Sequence, residues 1–337
     1  MNKFITIGEN IHTTRIVKRA GIRAHVFSDG NEAIKYIDDG EFKYVKVPNH
    51  FTNTQPYQQG NLKHFMIAVW KGMNDSSEEA RKAIEYINFE VKRQEKYGAS
   101  YLDLNVDEIS HRLEEQKNSI KWLVETVQKV ANIPISVDSS NPEIIEAGLS
   151  VYKGIQGRVM LNSIALERPE ALSLAVEYNA KVILSAASES AMPNSAEERI
   201  MNINTLIDMS QKKGINIEDI FVDPLIFPIS VDPNYVNHAL GAIREIRKNF
   251  GKKIHITGGI SNVSFGLPKR KIINEAFLKL AIGEGLDSGI IDPTQLNVKD
   301  IKDLDFEINK YKLAKNLLLG NDEFAMNYIS AYRSGEL

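Results

Sequence analysis

The sequence predicts an α/β chain of the (β/α)8 barrel class, read as one domain over residues 1–337. Three observations predict it. Eight short apolar runs recur along the chain. Each is nearly continuous in Ile, Val and Leu, the pattern of parallel strands buried on both faces rather than of half-exposed strands. Amphipathic stretches with helix start signals follow most of the runs. Eight such units fit a single barrel better than two nucleotide-binding halves.

In order, the runs are Phe4–Glu9, Ser100–Val106, Pro134–Asp138, Arg158–Ile164, Lys181–Ala186, Ile220–Ile226, Lys253–Ile260 and Ser288–Ile291. Ser76-Ser77-Glu78-Glu79 resembles a capping box ahead of a helix reaching Tyr97, with Gly98 as its stop. Asn141-Pro142 places a capping Asn before a first-turn Pro. Ser195–Glu198 repeats the box, and Asp232-Pro233 repeats the cap-then-Pro logic. A last helix is expected from Val298 to Leu319, with a helical tail after it.

One connection breaks the spacing. Between the first strand and the first barrel helix lie residues 11–75, too long for an ordinary βα loop. This insertion holds Arg15, Lys18, Arg19 and Arg23, a short amphipathic helix expected over Asn31–Asp39, and Pro48, Pro56 and Tyr57. It starts at the end of the barrel where chemistry resides. A lid or partner-docking arm and a decoration packed on the rim weigh about evenly.

Composition narrows the function classes. With 43% hydrophobic and 25% charged residues, disorder and fibrous repeats are excluded. Lys and Arg total 41 against 44 Asp and Glu, a net charge of −3, so nothing favours nucleic acid or an anionic membrane as partner. No apolar run approaches the roughly 20 residues of a membrane span. The start, Met1 to Ile7 running into Gly8-Glu9-Asn10, does not read as a signal peptide, and a cytoplasmic location is expected. The absence of cysteine excludes disulfides, thiolate metal sites and a cysteine nucleophile.

The polar residues at strand ends form the shortlist for a site. They are Glu9 and Asn10; Asp103 and Asn105; Asp138 and Ser139; Asn162 and Ser163; Ser185; Asp223; Thr257, Ser261 and Asn262; and Asp292. Carboxylates alternate with amides, and Arg270 is the one cation among them. A phosphorylated ligand is disfavoured, although Gly258-Gly259 offers backbone N–H groups. Fixed acceptors and donors suit a planar heterocycle with amino, ring N–H and carbonyl groups, such as a pterin or purine. Asn141 reads as a helix cap instead. The histidines, His12, His25, His50, His64, His111, His238 and His255, show no ligand spacing, and no metal is expected. Those in or beside the insertion read as solvated or docking residues, and His255 as a core residue. Ser139 and Ser163 lack an adjacent base for nucleophilic chemistry.

Ile7-Gly8-Glu9, Leu102–Val106, Val137-Asp138-Ser139-Ser140, Leu161-Asn162-Ser163, Asp223-Pro224-Leu225-Ile226 and Ser261–Arg270 occur in that order. Together they resemble the pterin-binding barrel family. Within it they are most similar to the methyltetrahydrofolate:corrinoid methyltransferases and the folate-binding barrel of cobalamin-dependent methionine synthase. The Ser-Asn-Val-Ser-Phe-Gly stretch is the most specific part.

The resemblance implies that Asp138, Asn162 and Asp223 bond the pterin edge and that Asn262 approaches N5. Glu9, Asp103, Asn105 and Arg270 would complete or support the pocket. It further implies methyl transfer between N5 of tetrahydrofolate and the cobalt of a corrinoid (cobalamin) carried by a partner protein, and a homodimer. Asn10 departs from the Arg common at its position, and the 11–75 insertion is longer than in the simplest members. The alternatives are a dihydropteroate synthase-like enzyme and a non-catalytic methyltetrahydrofolate-binding subunit. Phe27-Ser28-Asp29-Gly30 superficially resembles the synthase's early loop, but the preceding Asn-x-Thr-Pro and the late Ser-Arg element are missing.

Overall fold

A computed structural model describes residues 3–189 and 191–337. Met1 and Asn2, part of the N-terminal reading, lie outside the described residues. The fold is of the predicted (β/α)8 barrel class. Its eight strands are β1 (Ile5–His12), then, after the insertion, β7 (Tyr101–Asn105), β8 (Ile135–Asp138), β9 (Met160–Ile164), β10 (Lys181–Ser185), β11 (Ile220–Asp223), β12 (His255–Ile256) and β13 (Ser288–Ile291). All eight coincide with the apolar runs of the sequence. Between β1 and β7 stand β2 (Val17–Lys18), β3 (Ala24–Val26), β4 (Glu32–Asp38), β5 (Glu41–Lys46), helix α1 (Gln55–Gln58), β6 (Asn61–Leu62), α2 (His64–Asn74) and α3 (Ser77–Lys96). The later helices are α4 (Leu113–Val127), α5 (Pro142–Leu149), α6 (Leu172–Glu177), α7 (Ala196–Lys212), α8 (Tyr235–Phe250), α9 (Arg270–Glu284), α10 (Val298–Lys302), α11 (Asn309–Leu318) and α12 (Met326–Ser334).

The chain groups into two compact units, Gly8–Val159 and Met160–Leu337 with the segment ending at Ile7. In the first, β7 and β8 pair in parallel from Leu102 opposite Ile135 to Asn105 opposite Asp138, so both polar strand ends finish in register. Gly8 leaves room for Gln94 of α3. A Cβ there would lie 2.4 Å from its Oε1, which accepts the Asn10 N–H at 3.2 Å.

The expected helix at Asn31–Asp39 is instead a strand. β4 pairs antiparallel with both β3 and β5, and Asp39 and Gly40, both at positive φ, close a two-residue hairpin between Asp38 and Glu41. This sheet is fastened to α3. The Tyr36 ring lies 5.0 Å from Tyr86 and 4.9 Å from Phe89, while Arg23 reaches the Tyr86 hydroxyl at 2.5 Å and Glu90 at 2.9 Å. The basic residues of the insertion are therefore paired. Arg19 meets Glu32 at 2.9 Å and stacks over Tyr57, and Lys18 bonds Asn61.

In the second unit, β9, β10, β11 and β12 form a parallel run, and Gly259 bridges to Ile290 of β13. The β12 strand is shorter than its apolar run because Gly258-Gly259 ends it and Ile260–Ser264 coils into a 3-10 turn. The last helix is also broken. α10 and α11 are separate, and Asp305 turns the chain between them by accepting the Glu307 N–H at 2.9 Å.

The helix starts are mixed. Asn141 accepts from the Glu143 N–H and Ser195 from the Glu198 N–H, as expected. Ser76 makes no capping bond; its own N–H goes to Asp75 at 2.8 Å. Asp232 accepts from the Asn234 N–H, so α8 starts later than its Asp-Pro suggests. Asn141→Ala is expected to lower stability by about 1 kcal/mol, the usual cost of losing a cap, read as a shifted urea midpoint at unchanged slope.

Candidate functional site

In the unit Gly8–Val159, three strand ends meet. β1 runs past Asn10 to His12, because Ile11 continues its apolar face and is fully buried. His12 is therefore a buried strand residue rather than a solvated one. Its Nε2 lies 3.0 Å from Asp103 Oδ2 and 3.9 Å from Asp138 Oδ2. Asp103 is wholly buried on β7. Asn105, two residues on, donates to Asp138 Oδ2 at 3.0 Å and accepts from the Asp107 N–H at 3.0 Å, which fixes one carboxyl oxygen of Asp138.

Burial, and after it the charge of Asp103, pushes the Asp138 carboxyl up to about 8 against the pull of His12. Asp107 takes the Ser139 hydroxyl at 2.5 Å and the Ser140 N–H at 3.0 Å. Ser139 is thus a structural donor. Glu9 is buried and held by Arg15, whose Nη2 stands 2.7 Å from its carboxylate and whose Nε donates to its carbonyl at 3.0 Å.

Donor atoms of His12, Asp103 and Asp138 all lie within 4.8 Å of one another, close enough to hold a metal ion. His12 is hydrogen-bonded to Asp103 and Asp138 to Asn105. The same unit holds a cavity of about 300 Å³ walled by Phe51, Tyr57, Leu62 and Met66 of the insertion and by Asp107 and Glu108 after β7. Lys63 and Glu108 form an ion pair in its wall.

In the second unit, Asn162 is buried on β9. Asp223 ends β11 and accepts the Leu225 N–H at 2.8 Å. Leu225 sits at φ 64°, a left-handed conformation that costs a branched side chain free energy and is maintained by its surroundings. One part of those surroundings is Arg199 of α7, fully buried, which donates to the Pro224 carbonyl at 2.8 Å and the Ser195 carbonyl at 2.8 Å. No carboxylate among the described residues lies within ion-pair distance of it. Burial raises the Asp223 carboxyl to about 6, with the Leu225 N–H and the Arg199 charge opposing.

Gly258-Gly259 passes close beneath two shortlisted side chains. A Cβ on Gly258 would lie 3.2 Å from Asp223 Oδ1 and 2.7 Å from Ile226, and one on Gly259 would lie 2.8 Å from Asn262 Nδ2. Close approach is the reason for these glycines. Asn262 is exposed in the 3-10 turn. Arg270 braces that turn, its Nε donating to Ser264 Oγ at 3.0 Å and its Nη2 to the Ser261 carbonyl at 2.6 Å. Asp292 turns its own loop by accepting from Thr294. His255, expected in the core, is half-buried and bonded to Asp287 at 2.9 Å.

Sequence reasoning missed His12 and Arg199. Ile11, an apolar residue beyond the polar Asn10, was the available signal for the first; none marks the second.

Residues 74–292 match the model of the pterin binding enzyme family. The chain belongs to that family. The resemblance read from the strand-end motifs is thereby borne out. Over 282 residues this pterin-binding chain is 27% identical to the methylcorrinoid:tetrahydrofolate methyltransferase of Eubacterium limosum, covering 81% of this chain and 98% of the relative. Its fold is that of dihydropteroate synthase from Xanthomonas albilineans, with a TM-score of 0.51 at 17% identity over 66% of this chain and 84% of that one. The enzyme from Thermus thermophilus gives 0.50 at 17% over 64% and 87%. Among the described residues no helix is long and apolar enough to cross a membrane.

Proposed function

We propose that this pterin-binding enzyme is a methyltransferase that moves a methyl group between N5 of tetrahydrofolate and the cobalt of a corrinoid carried by a partner protein. The observation that carries the reading is the likeness to the Eubacterium limosum methylcorrinoid:tetrahydrofolate methyltransferase over nearly that protein's whole length. Its name also favours the corrinoid as methyl donor and tetrahydrofolate as acceptor.

Asp138, Asn162 and Asp223 are assigned to the pterin's amino, ring N–H and carbonyl groups. Glu9, Asp103, Asn105 and Arg270 support rather than touch the reaction: each is bonded within the protein or braces a neighbour. Asn262 is assigned to N5. In methyltetrahydrofolate N5 is a tertiary amine and a poor leaving group, so it needs a proton or a strong hydrogen bond when its methyl bond breaks; in the direction of methylation N5 of tetrahydrofolate takes the methyl group and gives its proton up to solvent, through the same transition state. An exposed amide on a braced turn donates that bond, and it strengthens as charge builds on N5. The corrinoid supplies the cobalt that carries the methyl group.

The insertion is assigned to docking of the corrinoid protein, since its sheet is fastened to α3 yet leaves Val26, Ile37 and Phe42 exposed. The same reading makes the enzyme a cytoplasmic homodimer.

A dihydropteroate synthase reading shares the fold, but the synthase handles a pyrophosphate and needs free cations. Here Arg270 and Arg15 are committed to internal bonds. Calorimetric titration with methyltetrahydrofolate beside tetrahydrofolate tests the pterin assignment. Saturable binding of both is expected; no binding of either overturns the assignment.

A further inference from the structure

We propose that His12 is a positioning residue of the pterin site: wedged between the Asp103 and Asp138 carboxyl groups, it holds Asp138 in its ligand-facing orientation and makes folate affinity depend on the imidazole's charge. The inference rests on the proposed assignment of Asp138 to the pterin.

Two carboxyl groups lie at adjacent strand ends, one wholly buried and one with a quarter of its side chain exposed. Like charges so placed repel strongly where water is scarce. Among the described residues, His12 is the cationic group between them, at 3.0 Å from Asp103 and 3.9 Å from Asp138. Asn105 donates to the same Asp138 oxygen, Oδ2, so Oδ1 is the oxygen proposed for a ligand. No other side chain of β1, β7 or β8 can replace that charge. Arg15, the nearest further cation, is turned to Glu9, and Asp107 adds a further negative charge toward Asp138.

Burial opposes the charge on His12, but the hydrogen bond and charge of Asp103 outweigh it, and its pKa is raised. The sign follows. A histidine raised above its ordinary value keeps its positive charge, and with it the charged attraction to Asp103, below that value and loses that charge as pH climbs through the raised one. Asp138, raised to about 8 by burial and by Asp103, ionises over the same alkaline range, so there two carboxylates face each other without a cation, Asp138 swings from its orientation, and folate affinity falls. An alkaline limb in the binding profile is the signature.

The test is the dissociation constant of tetrahydrofolate between pH 6 and 9.5, measured on the full-length protein and on His12→Gln, with thermal unfolding as a check of folding. Gln keeps a donor near the Nε2 position and has no titrating charge. At pH 7, His12→Gln should bind about tenfold more weakly, the lower range for losing a charge-assisted hydrogen bond, and its alkaline limb should be displaced to higher pH, because Asp138 loses the pull of the His12 charge. Asp103→Asn provides a second reading if His12→Gln does not fold. Removing the carboxylate lowers the histidine's pKa, so the limb should move to lower pH.

Profiles of both variants that superimpose on the wild type would overturn the role of His12 while leaving the pterin assignment standing. A uniform loss of affinity without a moved limb would make His12 merely structural. No folate binding by the wild type at any pH would overturn the pterin assignment and this inference together.

Discussion

Replacing Asn262 with Ala is expected to slow methyl transfer by about 100- to 1,000-fold, the range for removing one donor aimed at developing charge. Affinity for methyltetrahydrofolate should change by less than about tenfold, because the ground-state amine is a weak acceptor and gains little from the amide. The substitution should leave the fold intact. Asn262 is exposed, and its turn is held by Arg270 through Ser261 and Ser264 rather than through the Asn side chain. Single-turnover transfer and equilibrium binding, measured on one preparation, separate the two quantities. Equal losses in both would place Asn262 in uniform binding and remove its role at N5.

Asp223→Ala should act in the opposite way. Its carboxylate is assigned to pterin N–H groups, so the loss falls on binding, by about 1–3 kcal/mol or roughly five- to 150-fold. The pH dependence gives an independent sign. A carboxyl raised to about 6 is protonated below that pH, and a protonated carboxyl has lost acceptor capacity. Folate affinity of the wild type should therefore weaken as pH falls through about 6, and Asp223→Asn should remove that acid limb. Tetrahydrofolate titrations from pH 5 to 7.5 read it. A variant that retains both affinity and limb would remove Asp223 from the site.

The strands were legible because they are buried on both faces, and continuous Ile, Val and Leu is the direct trace of that burial. Where chain geometry depends on a turn, legibility fell. The segment Asn31–Asp39 has helix-compatible spacing, yet Asp39-Gly40 signals a two-residue hairpin, and the antiparallel partners in β3 and β5 decide the conformation. Position at strand ends made the candidate residues legible, and of these Asn105 and Asp138 do meet. What those residues touch was not legible. Arg270 stood out as a cation near Asn262, but its bonds to Ser261 and Ser264 arise from a 3-10 turn the sequence does not announce. Arg199 meets a carbonyl 25 residues away, and no spacing rule marks a lone arginine on a helix as the brace of a loop.

Methyl transfer between folate and a corrinoid protein is read most directly from the absorption spectrum of a methylcorrinoid protein mixed with tetrahydrofolate. Catalytic amounts of this enzyme should convert the methylated corrinoid spectrum to that of the reduced corrinoid, with methyltetrahydrofolate formed in equal amount, and Asn262→Ala enzyme should do so far more slowly. A methylcorrinoid spectrum that stays unchanged while tetrahydrofolate demonstrably binds would contradict the account and leave a folate-binding protein without transferase activity.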